Sequence, residues 1–377
     1  MANGKRLRIG ILFGGRSGEH EVSLASAASV IRALDPEKYE PVLIGITKDG
    51  RWLVGTSAQK LLPEVLKAGE RVVLPPDPSA AALMPFAGAS PQPTVKVDVV
   101  FPVLHGTFGE DGTVQGLLEL TGLPYVGAGV LASAVGMDKD VQKRLFRDAK
   151  IPVVEWLALS RHEWESERGK VLLAVKQKFK FPLFVKPATL GSSVGMTRVH
   201  NAAELPGALD TAAQFALKIL VERAITGREI EVAVLGNDDP KASIPGEIVP
   251  HHEFYDYAAK YLESGTELVI PARLTRKQAT QFQEYAVRAF RSIDGTGMAR
   301  VDFFLEKRTN KIYLNEVNTI PGFTSISMYP KMWEASGISY SELIDRLIQL
   351  AIEQHQEKSR TKYSIELPAG AGGALEG

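Results

Sequence analysis

The chain has 377 residues, with 44 Lys plus Arg against 44 Asp plus Glu, and no cysteine. The balanced charge gives no case for a nucleic-acid or anionic-membrane partner. The missing thiols exclude disulfides, zinc–thiolate centres and thiol catalysis.

The length allows two or three domains around a full core. No apolar run nears the roughly 20 residues of a membrane span, and the N-terminus lacks a signal-peptide core, so the chain reads as cytoplasmic. Leu7 to Phe13 is an apolar run closed by Gly14-Gly15, a buried strand and a tight turn. Glu21 to Leu34 has helical spacing and stops at Asp35-Pro36. Tyr39 to Thr47 is a second strand, and this β-α-β opening predicts a parallel sheet with helices on its faces. Residues 55–96, with Pro-Pro-Asp-Pro and Ala-rich stretches, read as an insertion that is partly loop. Val97 to Leu104 is a strand running into His105-Gly106; Thr113 to Thr121 is helical and Leu123 to Val126 a short strand. A helix from Asp138 to Ala149 closes at Ile151-Pro152.

Hairpins follow. Phe184 to Pro187 leads through a Gly/Ser loop at 191–195 to a return strand, Met196 to Val199. Ile219 to Arg223 and Glu229 to Leu235 are strands, residues 250–266 a polar Tyr-rich loop, and Thr275 caps a helix to Ile293. Met298 to Asn318 is a hairpin and Tyr340 to Gln354 the last helix. The sum is an α/β domain (1–130) followed by two α+β parts (131–222 and 223–357), with 358–377 read as a mobile tail. A Rossmann fingerprint is absent after the first strand, where Gly14-Gly15-Arg16-Ser17-Gly18-Glu19 stands, and so is a Walker A loop.

The strongest chemical signal is the last hairpin. Side chains alternate along a strand, so Arg300 and Asp302 share a face, as do Glu316 and Asn318. A turn centred on Thr309 sets Asp302 opposite Glu316 and Arg300 opposite Asn318. Two carboxylates, a carboxamide oxygen and a guanidinium then share a surface, a hard-oxygen set suited to Mg²⁺ with an arginine for an anion. The competing reading is a solvated face with cross-strand ion pairs, and a one-residue slip would send Glu316 to the other face. Lys186 ends a strand before Gly191-Ser192-Ser193-Val194-Gly195, a loop able to cradle phosphate or simply to turn. Glu222, Arg223 and Ile225, with Glu229 and Glu231 beyond, offer backbone and carboxylates to a base and a ribose, or form a surface strand. His105 and Glu19 both fall at the carboxyl edge of the parallel sheet, where α/β proteins bind ligands. Each also has a local alternative, a turn histidine and a helix N-terminal charge.

In this order the segments resemble D-alanine–D-alanine ligases of the ATP-grasp superfamily, from Arg8 to about Glu353. The resemblance rests on His105 to Gly116, on Gly297 to Asp302 with Leu314 to Gly322, on Gly14 to Leu24, and on Phe254 to Tyr261. It implies an N-terminal α/β domain and two α+β subdomains that sandwich ATP. It implies that Lys139 and Lys186 contact phosphates, that Ser192 and Ser193 fold over them, and that Glu222, Arg223 and Ile225 hold adenine. Glu229 takes the ribose, and Asn315 and Lys260 are further ATP contacts. Asp302, Glu316 and Asn318 bind two Mg²⁺, for which Mn²⁺ substitutes. Glu19 takes the ammonium of the first D-alanine with His105 nearby; Ser327 and Arg300 take the carboxylate of the second. Arg300 and the Gly322 amide steady the oxyanion, and Tyr261 and Lys260 ride a closing loop. A Glu19–Ser192–Tyr261 set is the candidate for removing the ammonium proton. The implied product is D-alanyl-D-alanine for peptidoglycan, made through an acylphosphate by a homodimer joined through its first domain. Ala258 departs from a glutamate common in relatives. Three rivals stand beside this reading: an acceptor other than D-alanine (D-lactate or D-serine), another ATP-grasp carboxylate–amine ligase, and a non-catalytic ATP-binding sensor. Tyr261 argues against the ester-forming rival. His105 to Gly116 argues against the second, and the complete set Arg300, Asp302, Glu316 and Asn318 against the third.

Overall fold

A computed structural model describes residues 6–55, 62–80, 82–86, 95–191, 194–249, 267–324 and 326–363. It is built on three sheets, and the first begins as the sequence predicts. Strands β1 (Leu7–Gly14), β2 (Tyr39–Ile46) and β7 (Val99–Pro102) pair in parallel, with helix α1 (His20–Ala33) crossing between β1 and β2. From Ile9 onward β1 is apolar and buried because both its faces are covered. Ile9, Ile11 and Phe13 enter one core and Leu12 another.

The expectation of an irregular insertion at 55–96 is corrected. β3 (Trp52–Val54) leads into it, and its described parts form helix α2 (Leu62–Ala68), β4 (Glu70–Val73), β5 (Ala82–Pro85) and β6 (Val95–Lys96). These strands extend the sheet antiparallel, in the order β6-β5-β4-β3-β2-β1-β7, so the sheet is mixed rather than wholly parallel. Each has two to four residues and alternates poorly, and pairing rather than pattern holds it. The expected strand from Leu123 to Val126 is reduced to a single bridge, Tyr125 with Val100.

Helices α3 (Thr113–Thr121), α4 (Val130–Met137) and α5 (Lys139–Asp148) lead to the second sheet. Asp138 caps α5 by accepting from the Asp140 and Val141 amides. The second sheet runs β10 (Thr197–Val199), β9 (Leu183–Pro187), β11 (Lys218–Arg223), β8 (Trp156–Ser160). Helices α6 (Arg161–Ser166), α7 (Arg168–Lys178) and α8 (Leu205–Phe215) accompany it, and Val175, Leu209 and Ile219 lie in its own core. The third sheet runs β15 (Glu267–Val269), β14 (Gly246–Val249), β12 (Gly227–Leu235), β16 (Met298–Glu306), β17 (Ile312–Asn318), with β13 (Lys241–Ala242) beside β12. Helix α9 (Arg276–Ser292) covers one face of it, entered through a capping box at Thr275 and Gln278. Helices α10 (Met328–Ala335) and α11 (Tyr340–Ser359) are the last described elements, and α11 runs past the expected Gln354.

Candidate active site

The hairpin of β16 and β17 shows how the local sequence sets chemistry. Ala299, Val301, Phe303 and Leu305 are buried with Phe282 and Phe290 of α9, and the alternate residues Arg300 and Asp302 face a cleft. On β17 the buried residues are Ile312, Leu314 and Val317, so the spacing is two and then three. Leu305 pairs with Ile312 and Phe303 with Leu314, and then a bulge intervenes. Beyond it Asp302 pairs with Glu316 and Arg300 with Asn318.

The predicted partners are right, but the turn is not centred on Thr309. Glu306 and Lys311 close it through a 3.0 Å amide-to-carbonyl bond, which centres it between Arg308 and Thr309. Asn310, with φ of 54°, supplies the left-handed residue the tight turn needs. Carried through unbroken, that register would set Glu316 opposite Val301 and turn it to the core. Asn315 is the extra residue that restores the phase, and both Asn315 and Glu316 line the cleft.

The charges on this face interlock. Arg300 donates from Nε to Asp302 Oδ1 at 2.8 Å and from Nη2 to Oδ2 at 2.7 Å, and Nε is 3.2 Å from Glu231 Oε2 on β12. Burial works against the guanidinium charge, but Asp302 and Glu231 outweigh it and push the Arg300 pKa well above its ordinary value. Asn318 Nδ2 donates to Asp302 Oδ2 at 2.9 Å. From α5, Lys139 Nζ reaches across to Glu316 at 3.2 Å and donates to the Leu190 carbonyl at 2.9 Å.

The second sheet supplies the opposite wall. Lys186 on β9 and Glu222 on β11 are buried and paired at 2.8 Å. Lys143, one helical turn beyond Lys139 on α5, is 0 % exposed and lies 3.1 Å from the other Glu222 oxygen. Burial favours the neutral Glu222 carboxyl, yet Lys143 and Lys186 prevail and hold it below the usual carboxylate range. Arg223 donates from its guanidinium to Glu306 at 2.9 Å, and Arg223 and Ile225 both line the cleft.

The first sheet closes one end. Glu19 stands at the start of α1 but makes no capping bond. Its Oε2 lies so near Gly106 that a Cβ there would come within 2.8 Å. His105 Nε2 is 3.2 Å from Ser26 Oγ, and burial pushes the imidazole down against the opposing pull of Glu19. Glu110 accepts from the Gly106 amide at 2.6 Å, and burial together with Glu19 pushes its carboxyl up to about 8. His105, its imidazole held toward the neutral form, and Glu110, its carboxyl pushed up to about 8, share this end of the cleft with Glu19. At the third corner Gly322 packs against Ser327, where a Cβ would meet Ser327 Oγ at 2.8 Å.

The charged groups of the three walls, Lys143 and Glu306 excepted, open on one cleft of about 1100 Å³. Of the predicted residues, Glu19, His105, Lys139, Lys186, Glu222, Arg223, Ile225, Glu229, Arg300, Asp302, Asn315, Glu316, Asn318, Gly322 and Ser327 line it. Ser192, Ser193, Lys260 and Tyr261 lie outside the described residues, as does the Phe254 to Tyr261 motif with Ala258. A smaller cavity of about 380 Å³ between Leu118, Tyr125 and Tyr363 holds none of them.

Residues 8–128 match the family model described as D-ala D-ala ligase N-terminus, and residues 145–349 match D-ala D-ala ligase C-terminus. The D-alanine–D-alanine ligase of Heliobacterium modesticaldum is 51% identical over 93% of this chain and 96% of its own length. The chain belongs to the D-alanine–D-alanine ligase family. The D-alanine–D-alanine ligase of Bacillus cytotoxicus is 48% identical over 96% of this chain and 99% of its own. Among solved structures, the family's enzyme from Coxiella burnetii superposes with a TM-score of 0.82 at 41% identity, covering 94% of this chain and 96% of that one. The VanG D-Ala:D-Ser ligase of Enterococcus faecalis gives 0.82 at 37% identity, covering 92% of this chain and 100% of that one. The fold is the ATP-grasp architecture.

For a family whose reaction consumes ATP, the donors of the third sheet matter. Among the described residues no three His, Asp or Glu side chains gather as a metal cage. Two carboxylates and two carboxamides on one cleft face fit Mg²⁺ better than a cage would, because Mg²⁺ keeps waters and phosphate oxygens in its shell. Sequence reasoning missed Lys143 and Glu110. Lys143 was legible from its i+4 spacing to Lys139, and Glu110 from its place within the His105 to Gly116 motif.

Proposed function

We propose that Glu19, Glu222, Arg300 and their neighbours carry out the ATP-dependent joining of two D-alanines into D-alanyl-D-alanine for cell-wall synthesis. The observation that carries this assignment of roles is the convergence of three sheets on one cleft. A purine seats against Glu222 and the backbone of Arg223 and Ile225, with the ribose at Glu229. Lys186 and Lys139 meet the phosphates, together with Asn315 and with Ser193 and Lys260 of the segments beyond the described residues. Asp302, Glu316 and Asn318 would hold two Mg²⁺, or Mn²⁺ in their place. Bound there, the metal would neutralise charge on the transferring phosphoryl group.

Glu19, beside His105 and Glu110, takes the ammonium of the first D-alanine and leaves its carboxylate free. That carboxylate attacks the γ-phosphorus, ADP departs, and an acylphosphate forms. Ser327 and Arg300 orient the second D-alanine by its carboxylate. Its amine attacks the acyl carbon, Arg300 and the Gly322 amide steady the oxyanion, and phosphate leaves. Glu19 with Ser192 and Tyr261 is the set proposed to relay the ammonium proton. We assign 1–130 to the first domain, 131–222 and 223–357 to the two nucleotide-binding subdomains, and 358–377 to a tail. A cytoplasmic homodimer is part of the proposal. Exposed Leu120 and Leu131 offer apolar surface to a second copy.

The test incubates the protein with ATP, Mg²⁺ and D-alanine, and follows phosphate release and dipeptide mass. Dipeptide with stoichiometric phosphate is expected. Turnover only with D-serine or D-lactate as second substrate would reassign the acceptor, a comparison prompted by the likeness to the D-Ala:D-Ser ligase. No turnover with any acceptor would favour a nucleotide sensor.

A further inference from the structure

A buried lysine is a poor stabiliser. Taking an ammonium out of water costs several kcal/mol, and a methionine of similar volume would pack as well without that penalty. Lys143 is nonetheless fully enclosed, and it is absent from the cleft lining. Its ammonium faces one oxygen of Glu222, while Lys186 from β9 faces the other. The Glu222 carboxylate is therefore clamped between two cations from two elements, and Glu222 itself lines the cleft. The groups opposite it in register, Trp156 on β8 and Phe184 on β9, carry no charge. Burial pulls the Lys143 pKa down, Glu222 opposes it most strongly and holds the charge, Lys186 pulls it down further, and Glu316 adds a smaller pull upward.

A clamped carboxylate can accept hydrogen bonds and cannot donate one. The 6-amino group of adenine is a donor; the 6-oxo group of hypoxanthine or guanine is an acceptor. Resting on the assignment of Glu222 to the purine edge, we infer that Lys143 sets the enzyme's preference for 6-amino over 6-oxo purine nucleotides by locking Glu222 as an acceptor. It does so without touching the nucleotide. Binding a 6-oxo purine requires a proton on Glu222, and the second cation raises the cost of placing it there. Lys186 cannot supply this alone and also serve the phosphates, which explains a second lysine on the side away from the cleft.

The test compares kcat/KM for ATP and inosine triphosphate, with Mg²⁺ and D-alanine, in the parent, Lys143→Met and Glu222→Gln. Direct binding of both nucleotides by calorimetry is a second readout. Lys143→Met leaves the Lys186–Glu222 pair intact, so no buried charge is orphaned. Its ATP-to-inosine ratio is expected to fall at least about tenfold, carried by KM, since one pKa step is tenfold in protonation. A packing defect would lower both nucleotides together and leave the ratio alone. Glu222→Gln, which donates and accepts, should collapse the ratio at every pH. If Glu222→Gln relaxes the ratio and Lys143→Met does not, the role of Lys143 is overturned and the purine assignment stands. If neither moves it, the assignment of Glu222 fails. Lys143→Gln serves as a second reporter. Loss of soluble protein in both Lys143 variants would make the residue one of folding and overturn the inference.

Discussion

Glu110→Gln tests the electrostatics at the Glu19 end of the cleft. The carboxyl of Glu110 rises from an ordinary 4.5 to about 8 in the folded chain, by burial and by Glu19. Below pH 4.5 the folded and unfolded chains both keep the proton, and the group is neutral to stability. Between 4.5 and about 8 the unfolded chain releases the proton while the folded chain holds it, so stability is lost as pH rises. Above about 8 the loss is complete. At about 1.36 kcal/mol per pKa step, the ceiling is about 5 kcal/mol. Because Glu110 lines an open cleft, solvent screening reduces the working figure to about 2–3 kcal/mol. The glutamine keeps an oxygen for the Gly106 amide and never ionises. Urea unfolding at pH 5, 7 and 9 should show the variant close to the parent at pH 5 and more stable by that amount at pH 9, with unchanged m values. An offset that is constant across pH would refute the reasoning, because it would come from packing and not from the proton.

Glu316→Gln should abolish dipeptide synthesis while leaving the melting temperature within a few degrees, since the side chain is cleft-facing and its partner Lys139 keeps the Leu190 carbonyl; near-normal turnover would show that Mg²⁺ is held elsewhere. Tyr39→Phe removes a buried hydroxyl that donates to Asp345 at 2.7 Å, and should cost about 1 kcal/mol in urea unfolding with the nucleotide KM unchanged. Thr275→Ala breaks the capping box of α9; about 1 kcal/mol is expected, read as a lowered midpoint.

The chemistry-bearing segments were legible in the sequence because each couples a short apolar run to an abrupt polar group. Val99 to His105 and Val301 to Asp302 are of this kind, and each delivers a cleft residue, His105 and Asp302. The bulge at Asn315 was also written there, as the slip from a spacing of two to three among Ile312, Leu314 and Val317, but a strict period-two reading passes over it. Helix α7 was hidden for a different reason. It buries only Val171 and Val175 and leaves Leu173 exposed, so no continuous stripe marks it. Strands β4 to β6 are too short for periodicity, and the pairing that holds them is a tertiary fact. The Glu222 clamp required three segments to meet, which no local pattern encodes.

The apolar cores are shared unequally among the sheets. Ala27 and Val30 of α1 and Val99 and Phe101 of β7 lie in one core with Leu343, Leu347 and Ile348 of α11, whereas the second sheet keeps a core of its own. During synthesis, α1 leaves the ribosome about 300 residues before α11 exists, a wait of roughly 15–60 s at 5–20 residues per second. Throughout that interval the face that packs against α11 waits for that helix, with α1 and α2 its earliest cover, while the second sheet's core needs no residue of α11. The nascent chain is thus expected to lean on chaperones more at its beginning than in its middle. Any truncation that removes α11 should send the first sheet, rather than the nucleotide-binding wall, into aggregates.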